Sequence, residues 1–188
     1  MKKACVLGLV MLGVFQLGAA STSGLELHQD AGTLPEYVVK AGFLFNFAKY
    51  VDWPAESFEK TDSPISIGIV GADPFGEDLD KTLRNKTVKE RGFTIRRYPE
   101  SGDIKPCHIL FIPRTENGRL PEIFKKLDSW AVLTVGEDEG FIKSGGIVNI
   151  LIEKEKPRLE VNPEAAEKAR LTINSKFLKV ATIVRASK

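Results

Sequence analysis

The sequence predicts a three-layer α/β fold: a largely parallel sheet flanked by helices, ending in a C-terminal antiparallel hairpin and helices. Three observations predict it. Four apolar runs, "ISIGIVG" (65–71), "GFTIRRY" (92–98), "CHILFIP" (107–113) and "AVLTVG" (131–136), are mostly continuous rather than alternating. Continuous β-branched runs suit strands covered on both faces, as in parallel sheets. Helical patterns at 75–83 and at "LPEIFKKL" (120–127) are interleaved with them, and such alternation implies a three-layer α/β architecture. Finally, "GIVNILIE" (146–153) and "PRLEVN" (157–162) are separated only by "KEK", which predicts an antiparallel hairpin at a sheet edge.

The N-terminus predicts export. Lys2 and Lys3 precede an apolar stretch from Ala4 to Phe15, and Gly18 and Ala20 are the small residues of a cleavage site. The stretch falls short of the roughly 20 apolar residues that span a bilayer, so it reads as a signal peptide cut after Ala20. No cysteine follows the small residues, which argues against a lipoprotein signal, and Cys5 leaves with the peptide. No later run is apolar for long enough to span a bilayer, so the mature chain is expected to be soluble in the periplasm of a double-membraned bacterium. Removing residues 1–20 from the 188 leaves 168; of the 27 lysines and arginines, two go with the signal, and 25 then face 25 acidic residues. A neutral chain exerts no general pull on nucleic acid or anionic lipid. A chain of this size should bury about 70% of its unfolded surface without staples. Residues 21–32 read as a flexible leader and residues 33–188 as one domain.

Within the domain, Thr33 and Glu36 have capping-box spacing and Pro35 sits in the first turn, which predicts a helix start. Tyr37, Ala41, Leu44, Ala48 and Val51 form its apolar stripe, widened by Val38, Phe45 and Phe47. Such a helix is packed on more than one side, and Pro54 is expected to end it. At the other end of the chain, Asn162 is expected to cap a short helix with Pro163 at its first position. A last helix is expected over 175–184, with Phe177, Ala181 and Val184 on one face.

Catalytic and cofactor signatures are missing. Gly68, Gly71 and Gly76 do not make the dinucleotide fingerprint, and Glu77 stands where a P-loop has its lysine. There is no nucleophile elbow. The two histidines are His28, in the leader, and His108, beside Cys107. Neighbours on a strand point to opposite faces, so Cys107 and His108 form no dyad, and with no third ligand they make no zinc site. "GEDEG" (136–140) is too short for a calcium loop and reads as a turn. Cys107, the one cysteine of the mature chain, reads as a buried small hydrophobe, with an intermolecular thiol as the other possibility. No metal, disulfide or cofactor is therefore expected, and the protein is read as a binding module rather than an enzyme.

Five segments in order, "LPEYVVKAGFLFNFAKYVDWP", "IGIVGADPFG", "CHILFIP", "VLTVGEDEGFIKSGGIVNILIEKEKPRLEVNPEAA" and "LTINSKFLKVA", resemble the YfiR-like family of periplasmic proteins over residues 34–184. The resemblance implies an α/β domain that can dimerise. It also implies a repressor that binds the periplasmic region of an inner-membrane diguanylate cyclase, lowering cyclic-di-GMP and restraining biofilm. Relatives of the YfiR type carry several cysteines in disulfides. Here Cys107 has no partner in the mature chain, so redox switching through an intrachain disulfide is excluded. Carried over with the family, Glu160, Arg170, Leu171 and Phe177 are the candidate partner-binding residues, with Trp53 beyond the first helix. The alternative reading is a small-ligand-binding protein, whose crevice would lie at the turns after Gly71, Pro113 and Gly136.

Overall fold

A computed structural model describes residues 35–185; the expected signal peptide, leader and Thr33 capping box lie outside them. The apolar runs form a seven-stranded sheet in the order β3-β2-β4-β5-β6-β7-β9. Its strands are β2 (Ile65–Val70), β3 (Phe93–Tyr98), β4 (Ile109–Phe111), β5 (Leu133–Gly136), β6 (Val148–Glu153), β7 (Lys156–Val161) and β9 (Thr182–Ile183). All pairings are parallel except β6 with β7. Every residue of β2, β4 and β5 is buried, as strands covered on both faces require.

The two faces carry separate cores. Ile67, Ile69, Ile109, Phe111, Leu133 and Val135 point toward helices α1 (Glu36–Tyr50) and α2 (Glu77–Leu83). Val70, Leu110 and Ile112 point the other way, where α3 (Leu120–Leu127) buries Leu120, Ile123 and Leu127. Phe141 belongs to this second core, and its ring lies over two glycines. A Cβ at Gly136 or Gly146 would come within 2.3 or 2.1 Å of it, so glycine at both positions is a packing requirement.

Four expectations are corrected. The first helix stops at Tyr50, ahead of Pro54, because Val51–Asp52 turns into a short strand, β1, paired with β8 (Thr172–Ile173). The last helix, α5, is only Ser175–Leu178, and the chain then extends as β9. Phe177 and Val184 consequently pack against different cores. The β6–β7 hairpin is one strand in from the edge, since β9 adds outside β7. Pro35 is the residue before α1 and makes no side-chain cap. The Asn162 cap is present: its side chain accepts from the Ala165 N–H at 3.1 Å at the start of α4 (Pro163–Lys168).

Candidate interaction face

The crevice expected at the C-terminal ends of the parallel strands is filled by charge. Lys40 of α1 is fully buried, and its ammonium donates to Glu137 at 2.6 Å and also to Glu36. Glu137 accepts further from the Arg114 backbone N–H at 3.1 Å and from the Tyr37 hydroxyl at 3.4 Å. Burial and the Glu137 charge push the Tyr37 phenol up to about 12. The network ties the start of α1 to the turns after β4 and β5. Its buried lysine is legible in part: Lys40 lies four residues before Leu44 and seven before Phe47, on the apolar side of the helix. Glu137 gave no such sign, because it stands in an acidic turn.

Open space lies at the opposite end of the sheet. A cavity of about 410 Å³ sits where β2, β3, β4 and β5 begin, lined by Ser66, Arg96, His108, Trp130 and Arg170 among others. His108 forms part of its wall. The Ser66 N–H donates to Nδ1 at 2.9 Å, so the ring's proton is on Nε2, which has no hydrogen-bond partner among the described residues. The ring stacks on Phe58 with centroids 4.3 Å apart, and the Arg91 guanidinium covers the far side of Phe58 at 3.8 Å. Burial pushes His108 down to about 4, so it is a neutral structural residue at physiological pH. Cys107 points into the opposite core beside Gly68 and Tyr98. Burial pushes its thiol up to about 12, which leaves it unreactive.

Arg170 stands at the cavity rim with a strained backbone. Its φ is +59°. Leu171 N–H bonds Ala166 O and Arg170 N–H bonds Glu167 O, both at 2.9 Å. This is a Schellman ending of α4 with arginine in the left-handed position that glycine favours. The strain costs about 1 kcal/mol. The exposed guanidinium is only loosely held, 3.4 Å from Glu56 and 3.2 Å from Ser129 O. Asp52 pairs with Thr172, so the chain leaving β1 runs beside the chain entering β8 and brings Trp53 to the same end. Trp53 is half-buried, donates to His108 O at 2.9 Å and meets the His108 ring edge-on.

The other candidates sit elsewhere. Leu171 and Phe177 are each 3% exposed; Phe177 lies between Phe47 and Tyr50, with centroids 5.1 and 6.3 Å away. Both belong to the core packed against α1, so the surface they could offer a partner is small. Glu160, on β7, is half-buried and accepts from Asn149 at 2.9 Å and Arg158 at 2.7 Å. It shares no hydrogen bond with Arg170. Trp130, half-buried in the cavity wall, escaped notice because one aromatic in a turn carries no periodic signal.

A conserved domain protein of Vibrio cholerae O1 biovar eltor has a similar fold, with a TM-score of 0.56 at 13% identity over 81% of this chain. The chain spans 61% of that structure. An ABC domain of Streptococcus pneumonia in complex with L-Trp is 14% identical over 63% of this chain and 55% of its own. Its TM-score of 0.44 is too low to bear on the fold. No curated protein matches the sequence. The model of one family matches residues 37–182, most of the chain, and on that match this protein belongs to the YfiR/HmsC-like family.

Proposed function

We propose that this protein is a periplasmic regulator that binds an inner-membrane diguanylate cyclase and restrains it, so lowering cyclic-di-GMP. Membership of a periplasmic family is consistent with a regulator of diguanylate cyclase signalling. The finer reading is ours: export by a signal peptide cut after Ala20, a cyclase sensor region as the partner, and contact around Arg170, Trp53 and Trp130. The role is binding, not catalysis. Among the described residues no helix is long and apolar enough to cross a membrane.

The observation that carries the reading is Arg170. Lys89, Glu90, Lys154 and Glu155 share its left-handed backbone; what distinguishes Arg170 is that this strain coincides with an exposed, loosely held guanidinium at the rim of a cavity walled by Trp130. Arginine beside tryptophan is also the composition of an energetic centre in protein interfaces. Glu160 is the second candidate contact, on a separate patch. The test is calorimetric titration of the mature protein with the periplasmic region of a cyclase from the same cell. Arg170→Gly should weaken binding at least tenfold while leaving the fold intact. Unchanged affinity would remove Arg170 from the interface.

One observation favours a second reading. Arg96 and Arg170 both line the 410 Å³ cavity, and Arg96 makes no ion pair among the described residues. A small organic anion would suit that pair, at the end of the sheet opposite to the expected crevice.

A further inference from the structure

We propose that the free edge of β3 is a second docking surface, which takes an extended acidic segment of a partner protein as an added strand. β3 is six residues long and, among the described residues, pairs only with β2. Gly92 and Tyr98 aim their carbonyls at β2, accepting from Ile65 N–H at 2.9 Å and Gly71 N–H at 2.8 Å. Backbone groups alternate in direction along a strand, so the N–H and C=O of Phe93, Ile95 and Arg97 face outward. None of them has a partner among the described residues. The edge carries no proline or bulge to blunt it.

The surroundings select the partner's charge. A groove of about 460 Å³ runs beside the edge, with Leu83, Phe93 and Ile95 as its apolar lining and Arg84 and Lys86 on its rim; its one acidic lining residue, Asp80, is already paired with Arg97 at 2.6 Å. Phe45 of α1 packs on Phe93 with centroids 5.8 Å apart. The ammonium groups of Lys49 and Lys86 lie 4.2 and 4.7 Å from the centre of the Phe45 ring. Two like charges therefore converge on one aromatic ring. Lys49, Arg84 and Lys86 make no ion pair among the described residues. A carboxylate-bearing strand would supply the missing counter-charges, the outward backbone groups would pair with it, and its apolar side chains would enter the groove. The same cations repel a second copy of β3, which disfavours pairing of the chain with itself at this edge.

The test uses the mature protein and two synthetic peptides, one alternating valine with glutamate and one alternating valine with lysine. The glutamate peptide should bind, more weakly at high salt, and should slow hydrogen exchange at Ile95 and Arg97. Lys49→Glu with Lys86→Glu should weaken binding at least tenfold with unchanged circular dichroism. Ile95→Pro removes an outward N–H and spares the ladder to β2, so it should abolish binding; if it does not fold, the charge variant and the exchange data decide. Equal binding of both peptides, unchanged affinity in the charge variant, or protection elsewhere would each overturn the proposal. So would edge amides already protected in the free protein that open when residues 21–34 are deleted, since the occupant would then be the chain's own leader.

Discussion

Arg170 is where the local physics and the proposed role pull in opposite directions. Glycine at the left-handed position has no Cβ to strain, so Arg170→Gly should stabilise the fold by about 1 kcal/mol, raising Tm by roughly 2–4 °C, while weakening partner binding. Thermal unfolding monitored by circular dichroism checks the first half. His108 makes a pH prediction. Its folded pKa is about 4 against an ordinary 6.5, so the native ring stays neutral where the unfolded ring protonates. The unfolded state then binds more protons between these values. Stability is full above pH 6.5 and falls by up to about 3 kcal/mol as the pH drops toward 4. Urea unfolding across that range should show the fall, and His108→Asn, which keeps an acceptor near the Ser66 N–H, should flatten it. Lys40 is the third residue of this kind. Lys40→Met leaves the buried Glu137 with only the half-exposed Arg114 guanidinium, 3.5 Å away, as counter-charge, and should cost up to about 3 kcal/mol. Lys40→Met with Glu137→Gln should recover part of that loss in the same urea titration.

Among the elements, the β6–β7 hairpin is the one built against its own turn chemistry. Lys154 and Glu155 have φ of +49° and +64°, the geometry of a two-residue turn that prefers Asn-Gly. Replacing the pair with Asn-Gly should raise stability by about 1 kcal/mol or more, read as a higher urea midpoint at unchanged slope. The hairpin itself was legible, because its strands have strong β-branched patterns and "KEK" leaves room only for a tight turn. The parallel strands and α3 were legible for the same reason of period and composition. The ends of elements were less so. Val51–Asp52 and Thr172–Ile173 are two-residue strands whose pairing joins residues 120 and 122 positions apart, and no local pattern announces that. The segment after Leu178 looked helical by spacing, yet β7 offers it an open edge and tertiary pairing wins. Much of the candidate face was hidden for a related reason. Arg170 was visible through the family resemblance, but its strained backbone, the cavity and Trp130 exist only once β1 lies against β8.

On the scale of the whole molecule, charge and space are divided between the two ends of the sheet. The end where α/β proteins usually hold ligands is closed by the Lys40 and Glu137 network, and the opposite end is open, walled by His108 and Trp130 and rimmed by Arg170. The most direct measurement is the cyclic-di-GMP content of the native bacterium with the gene intact, with it deleted, and with Arg170→Gly in its place at matched protein level. The account predicts a rise on deletion and a comparable rise with Arg170→Gly. Unchanged cyclic-di-GMP in the deletion strain across growth conditions would contradict it.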